Sequence, residues 1–277
     1  MKPILKNISV AAVLFAASTG VHASAVSLLD ENFNDVTGMT LATTVRAVQS
    51  VLTDTPNPLP GAQWSASSGT NDNVGIRRTD NNINANVTNS FLSFFPQSAT
   101  NNFLVMGDQV GPNTGVANQG VFAFALPFST VTGTTNINVS FDWAFAGDDT
   151  SSTAGVEDLF KVGIAGSGFS INSPMSPANT LVSQTSPSTS AFNVNGHYNT
   201  SIALNSLPTA ATGNIRYLVF GLSEHANLAT NSAVGIDNIK ITANVSQVPL
   251  PGAVWLFGSA LVGFVGVSRR KQNFYNK

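Results

Sequence analysis

The stretch Asn136-Ile-Asn-Val-Ser-Phe-Asp-Trp-Ala-Phe145 decides the fold of this 277-residue chain. Its even positions are polar or small, and its odd positions are all apolar: Ile137, Val139, Phe141, Trp143 and Phe145. Successive side chains of a strand point to opposite faces, so strict alternation predicts a β-strand with one buried face. We therefore expect the Trp143 side chain to point into a core.

Other short segments repeat the strand pattern, with turn residues between them. Residues 121–128 are apolar on both faces, which predicts a central strand covered on both sides. Further strands are expected at 91–95, 102–106, 159–165, 201–204 and 214–222. No long segment has the period of a helix, although 40–52 could form a helical turn. The pattern predicts an all-β protein with one β-sandwich domain, most simply a jelly roll.

Two polar segments are expected to be irregular. Residues 167–190 are rich in Ser, Thr, Pro and Asn, which predicts a long exposed loop, with a linker between two domains as the alternative. Residues 71–89 are rich in Asn, a residue that tolerates turn conformations.

The N-terminus has the features of a secretory signal peptide. Lys2 and Lys6 precede an apolar stretch from Ile8 to Ala17, and small residues allow cleavage after Ala23 or Ala25. We assign residues 1–23 to this signal, which does not contribute to the fold. The ectodomain is then expected to span residues 24–247.

The C-terminus contains a Pro-rich motif, a short apolar run and a basic end. Val248, Pro249, Leu250 and Pro251 precede the uncharged run from Gly252 to Val267. As a helix this run is about 24 Å long, shorter than the roughly 30 Å hydrocarbon core of a bilayer. The basic stop that follows should keep the end of the chain in the cytoplasm. It consists of Arg269, Arg270 and Lys271.

This order of features resembles the PEP-CTERM sorting signal, with a motif at 248–251, a transmembrane helix at 252–268 and a basic tail at 269–277. Leu250 stands where the family usually has Glu. The resemblance implies recognition and cleavage by an exosortase-type enzyme in the inner membrane of a Gram-negative bacterium. It also implies a final location at the cell surface or in a biofilm matrix, with extracellular polysaccharide or matrix proteins as partners. The alternative is a simple tail-anchored surface protein.

Charge and cysteine content limit the classes of partner that we expect the ectodomain to bind. It carries six basic and fourteen acidic residues, a formal charge of −8. Nucleic-acid binding needs clustered Lys and Arg, so we expect no nucleic-acid partner. The chain has no cysteine. An exported domain without disulfides depends on its core for stability and is a candidate for stabilisation by calcium.

Two segments at the ends of the ectodomain suggest a calcium site. In 234–241 the apolar residues shift from even to odd positions, which predicts a β-bulge at Asp237 and Asn238. Segments 29–35 and 234–241 are similar to the opening and closing strands of jelly-roll carbohydrate-binding and adhesive modules. The resemblance implies that these strands are neighbours and that Glu31 and Asp237 bind a structural Ca²⁺. Alternatively, both are ordinary residues at strand ends.

The sequence contains no recognisable catalytic motif, and we expect no enzymatic activity. A secreted glycan-active hydrolase with a jelly-roll fold is the alternative, since paired carboxylates need only meet in space. Four carboxylates around the loop after the best strand are expected to be solvated or bridged by a cation: Asp148, Asp149, Glu157 and Asp158. Trp64, after a Pro-rich turn, is the candidate glycan-binding residue.

Overall fold

The computed structural model describes residues 24–34, 61–65, 72–78, 94–95, 101–108, 120–147, 157–187, 192–224 and 232–246, together with Gly258 and Ala260. The chain forms two compact units. One comprises residues 25–244, and the other comprises residues 1–24 and 245–277.

The larger unit is built from β-strands, and the described residues form eleven of them. They are β1 (Ser24–Glu31), β2 (Gln63–Ser65), β3 (Asp72–Arg78), β4 (Asn102–Asp108), β5 (Gly120–Ser129), β6 (Thr134–Gly147), β7 (Leu159–Ala165), β8 (Asn179–Thr185), β9 (Phe192–Ala203), β10 (Ile215–Glu224) and β11 (Ser232–Val245). Short 3-10 turns lie at Leu204–Ser206 and Thr212–Asn214.

The strands form two antiparallel sheets. Sheet A has the order β3-β4-β11-β6-β9, with β1 also paired to β11, and sheet B has the order β2-β5-β10-β7-β8. The predicted all-β sandwich is therefore confirmed. The expected adjacency of the opening and closing strands is also confirmed, because β1 pairs with β11.

The core lies between the sheets and is centred on β6. The odd residues from Ile137 to Phe145 are buried, including Trp143 at 7% exposure. Phe141 meets Phe220 of sheet B edge to face, with 5.4 Å between ring centroids. Trp143 and Phe160 lie 5.6 Å apart by the same measure. The alternation in the sequence thus predicted correctly which face of β6 is buried.

Two polar segments were assigned wrongly from the sequence. The stretch expected to be one long loop contains β8, which pairs with β7. The Asn-rich stretch at 71–89 contains β3, which pairs with β4 over seven residues. Each of these strands is at the edge of its sheet and pairs with one neighbouring strand. The apolar pattern in the sequence of such an edge strand is correspondingly weak.

Other strand predictions differ in extent. Strands β4, β5, β7 and β10 lie where they were expected, whereas β9 begins well before the predicted 201–204 segment, at Phe192. Of the expected strand at 91–95, only Phe94 and Phe95 are described, and both lie in a turn. The predicted bulge in β11 coincides with a left-handed backbone at Asn238, where φ is 53°. That conformation interrupts the regular pleat at the point where the apolar residues shift from even to odd positions.

The terminal signals fall almost entirely outside the described residues. This applies to the signal peptide at 1–23, the motif at 248–251, the basic tail at 269–277 and most of the helix at 252–268. Gly258 and Ala260, the described residues of that helix, are helical. Among the residues that the structure describes, no helix has the length and apolar character needed to cross a membrane.

Candidate functional site

Two regions of the larger unit have the features of binding sites, one on each sheet. The first surrounds the predicted calcium ligands. Glu31 ends β1, and its Oε1 accepts a 2.6 Å hydrogen bond from the backbone N–H of Phe33. Phe33 has a left-handed backbone (φ 55°) and is fully buried. The chain therefore turns sharply after β1, and the Glu31 carboxylate is fixed beside that turn.

Asp237 lies in β11 and is only 1% exposed. Its carboxylate accepts a 2.7 Å hydrogen bond at Oδ1 from the backbone N–H of Asn238. Oδ2 is buried, and no donor in the described part of the chain is placed to bond it. Burial raises the pKa of Asp237 to about 7, with smaller increases from the negative charges of Asp142 and Glu31, while the hydrogen bond from Asn238 and the nearby side-chain amide of Asn101 lower it. Without a cation, this carboxylate is therefore costly to ionise.

A third carboxylate, Asp142 on β6, joins the two that the sequence singled out. Its Oδ2 accepts a 2.8 Å hydrogen bond from the side-chain amide of Asn238. Its Oδ1 lies 2.5 Å from Nδ1 of His197, which projects from β9 with 57% of its side chain exposed. Sequence reasoning placed Asp142 on the outer face of a strand but gave no reason to associate it with Asp237, because the pairing of β6 with β11 brings them together.

A second buried oxygen also lacks a donor. Asn102, at the start of β4, is 2% exposed, and within the described residues its side-chain Oδ1 has no hydrogen-bond partner. Its backbone N–H donates a 2.7 Å bond to Oδ1 of Asn34, which links β4 to the segment after β1. Buried oxygens without donors are rare in proteins, and a hard cation is one partner that satisfies them.

These residues fit a calcium ion in their chemistry without forming a complete ligand set. Carboxylate and amide oxygens are the ligands that Ca²⁺ takes, and two of them are buried without donors. However, no three or more His, Asp or Glu side chains within the described ranges are arranged to hold a metal ion. Any ion here would need backbone oxygens or water in addition.

The other acidic cluster is described only in part. Asp148 and Asp149 lie outside the described residues. Asp158 is 2% exposed, and its backbone N–H donates a 2.8 Å bond to Oγ of Ser186. The expectation of a solvated carboxylate was therefore wrong for Asp158, because the start of β7 packs against the end of β8.

The second region lies on the outer face of sheet B, where residues 166–178 cover the sheet. Small residues form that face, namely Ala125, Ala165 and Val219, and three larger side chains pack on it: Phe169, Ile171 and Tyr217. A Cβ added at Gly163 would lie 2.5 Å from Pro177, and one added at Gly221 would lie 2.8 Å from Sδ of Met175. Glycine at both positions thus lets the covering segment approach the strands.

This covering segment borders a small, partly open pocket of about 220 Å³. Four serines line it together with an aromatic ring and small residues: Ala165, Gly166, Ser167, Gly168, Phe169, Ser170, Ser173, Ser176 and Ala178. The half-buried rings of Phe169 and Tyr217 lie 5.0 Å apart with 34° between their planes. None of the lining residues is charged. The region combines hydroxyl groups with aromatic surface and has no carboxylate positioned for acid–base chemistry.

Trp64, the glycan-binding candidate from the sequence, lies elsewhere. In the register of β2 with β5 it stands opposite Phe124, whose side chain is fully buried. Trp64 is half-buried and belongs to the inner face of sheet B, because paired residues of neighbouring strands share a face. Sequence reasoning missed Phe169, since it took the segment containing Phe169 for an exposed loop, and it preferred Trp64 to Tyr217 as the residue that stacks on a sugar.

Comparisons with known proteins show that the fold of this chain is similar to that of several solved structures. No protein-family model matches the chain, and no curated protein matches it in sequence. The β-sandwich is structurally similar to carbohydrate-binding modules, including one solved in complex with β-1,4-galactotriose. That module is 10% identical with a TM-score of 0.29, and the match covers 66% of this chain and 88% of the module.

Two other solved structures have the same level of similarity. The K3 cleaved adhesin domain of Lys-gingipain from Porphyromonas gingivalis is 12% identical with a TM-score of 0.38, and 78% of this chain and 99% of that domain are covered. The enzymatically active domain of bacteriophage CBA120 tailspike protein 4 is 10% identical with a TM-score of 0.34, over 73% of this chain. This chain spans only 22% of the tailspike chain. At these values the similarity concerns the fold alone.

Proposed function

We propose that this protein is an exported β-sandwich of jelly-roll type that binds an extracellular glycan without cleaving it. The observation that carries the proposal is the pair of half-buried rings, Phe169 and Tyr217, beside a pocket lined by four serines. A sugar ring has an apolar face that packs on aromatic side chains and hydroxyls that bond to serine. Because the lining residues carry no charge, the proposed ligand is a neutral glycan. The pocket is smaller than the roughly 300–1,000 Å³ of drug-sized sites, so it suits one sugar unit of a longer chain.

Glycan binding is expected to depend on both rings. Phe169→Ala or Tyr217→Ala should weaken retention by the cognate neutral polysaccharide at least about tenfold, because each removes an aromatic surface for stacking. Affinity electrophoresis against a panel of polysaccharides, followed by titration, measures the effect. Tyr198→Ala is the matched control, since Tyr198 is also half-buried but stacks on Phe141 of sheet A. Equal weakening in the control, or no retention by any neutral glycan, would contradict the proposal.

The hydrolase alternative would need accessible paired carboxylates, and the described residues do not favour it. Glu31, Asp142 and Asp237 are close enough for the first two to raise the pKa of the third. Asp237 is almost fully buried, however, so a substrate does not reach it. Release of reducing sugar from a polysaccharide that the protein retains would favour the hydrolase instead.

We further propose that the protein is exported and then processed near Val248-Pro-Leu-Pro251 by an exosortase-type enzyme in the inner membrane. The support is the order of signals in the sequence, with a signal peptide at one end and a motif, a short apolar run and a basic stop at the other. The proposed destination is the cell surface or the biofilm matrix, where polysaccharide and matrix proteins are the partners.

Processing predicts a defined loss of mass. We expect the mature protein to lack the residues that follow about Pro251, and intact-mass analysis of surface material from the producing cells measures this directly. If most mature molecules retain Arg269, Arg270 and Lys271, a simple tail anchor explains the C-terminus better than sorting does.

A structural calcium ion held by Glu31 and Asp237 is the last part of the proposal. It is supported by the buried Oδ2 of Asp237, which lacks a donor among the described residues, and by the three carboxylates gathered around β11. The ion would offset the repulsion among these carboxylates and tie β1 to β11. It would thus stabilise the fold and take no part in glycan binding on the other sheet.

A further inference from the structure

The free edges of the two sheets differ in how they are protected. Edge strands carry backbone N–H and C=O groups that pair readily with another chain, and proteins usually block them with charges, bulges, Pro or short length. Four edges have such devices. Strand β2 has only three residues, and β8 is bulged. Strand β3 includes Asp72, Arg77 and Arg78 in its sequence, and β1, which among the described strands pairs with β11 alone, includes Asp30 and Glu31. The bulge in β8 leaves Leu181 as an extra residue, because Val162 pairs with Val182 and Gly163 with Thr180.

Strand β9 is the exception. It is the last strand of sheet A, and in the described part of the chain no strand pairs with its other side. Its register with β6 runs without interruption through twelve pairs, from Phe192 opposite Gly147 to Ala203 opposite Asn136. It contains no Asp, Glu, Lys, Arg or Pro. Within it, Val194 is 37% exposed, so the strand carries an apolar side chain at the surface. Residues 194–202 thus form a regular, neutral edge about 30 Å long.

We propose that β9 binds the β9 strand of a second copy of this chain, in antiparallel orientation, so that two copies of sheet A form one continuous sheet. Antiparallel pairing of identical strands has two-fold symmetry and closes after two copies. The ectodomain carries a formal charge of −8, so two copies repel over most of their surface. Residues 194–202 contain no Asp, Glu, Lys or Arg, so no such charges oppose each other there. The exposed polar side chains are Asn195, His197, Asn199, Thr200 and Ser201, and His197 is paired with Asp142 of the neighbouring strand β6. A second copy is therefore best accommodated at this edge.

Self-association and edge-specific variants test this. We expect sedimentation velocity of the mature exported protein, from low to high micromolar concentration, to show a reversible monomer–dimer equilibrium. Asn195→Lys with Asn199→Lys places four lysines along the paired edges of a dimer and should raise its dissociation constant at least about tenfold. Ser183→Lys with Thr185→Lys is the matched control, because both residues are exposed on the bulged edge strand β8. A protein that stays monomeric throughout, or a control that dissociates equally, overturns the proposal.

Cross-linking gives a second readout that does not depend on charge. The chain has no cysteine, so a single introduced cysteine reports its own neighbour. Opposing Cα atoms in an antiparallel pair lie about 4.5–5.5 Å apart, within disulfide range. We expect mild oxidation of single cysteines introduced in turn at each of residues 194–202 to give covalent dimers at one position or at neighbouring positions, where the two-fold axis crosses the strand pair, and none with Ser183→Cys. Absence of cross-linking at every position from 194 to 202, or equal cross-linking at position 183, would show that β9 is not the interface.

Discussion

Asp237→Asn is expected to make the protein more stable to heat than the unmodified protein at about pH 8 in the presence of a calcium chelator. Burial raises the pKa of Asp237 from 3.8 to about 7 in the folded state. Between these values the folded protein keeps a proton that the unfolded chain has released. The free energy of unfolding therefore falls as pH rises through this window and stays low above it. Each pKa unit corresponds to about 1.4 kcal/mol, so the loss is at most about 4 kcal/mol.

The asparagine variant should escape this loss. It keeps an oxygen to accept the N–H of Asn238 and has no charge to bury, while its amide can donate to the nearby carboxylates. Thermal melts from about pH 4 to pH 8 measure the difference. Asp30→Asn is the matched control, since Asp30 forms an exposed ion pair with Lys240 at 3.2 Å, of a kind that contributes about 0–1 kcal/mol. Parallel pH dependence of the unmodified protein and Asp237→Asn would show that Asp237 is not the titrating group.

Calcium should reduce the difference in melting temperature between the unmodified protein and Asp237→Asn. At about 100 times its dissociation constant, a ligand specific to the folded state adds about 2.7 kcal/mol, which raises the melting temperature by several degrees. We expect this gain in the unmodified protein and not in Asp237→Asn. If the melts with calcium and with chelator superimpose for the unmodified protein, the proposed ion does not bind. If both proteins gain equally, the ion binds elsewhere.

Phe220→Ala is expected to destabilise the fold severely. Phe220 is fully buried on the inner face of β10, opposite Phe124 and Val162, and its ring meets that of Phe141. Removing a buried Phe side chain costs about 3–5 kcal/mol through lost burial and the cavity left behind. In a domain of this size that lowers the melting temperature by roughly 10 °C. Chemical denaturation gives the free energy directly.

Phe169→Ala provides the comparison, because the same atoms are removed from a half-buried ring on the outer face of sheet B. We expect a clearly smaller loss of stability there, together with the loss of glycan binding. Phe220→Ala should lose more stability but keep glycan binding at temperatures where it remains folded. A Phe169→Ala protein as unstable as Phe220→Ala would show that residues 166–178 form part of the core and do not act as a binding segment.

The proposed calcium region and the proposed glycan region differ in how far the sequence anticipated them. Glu31 and Asp237 were found from two short segments, and the structure places both around β11. Asp142 was missed, since it reaches that region through the neighbouring strand β6, which is distant in sequence. Trp64 was selected because it follows a Pro-rich turn, but the pairing of β2 with β5 puts it on the inner face. Phe169 and Tyr217 were not selected, and they meet only because the covering segment folds back onto β10.

The sequence by itself determined which segments become the central strands and which of their faces are buried. Alternation in β6 is a local property, because the direction of each side chain follows from its position along the strand. In the polar edge strands β3 and β8 this pattern is short or weak, and they exist because a neighbouring strand supplies their hydrogen bonds. Only the tertiary structure decided that Asp142 lies near Asp237 and that Phe169 lies beside Tyr217. Strand order and register fix those contacts, and both depend on how the two whole sheets pack rather than on any short stretch of sequence.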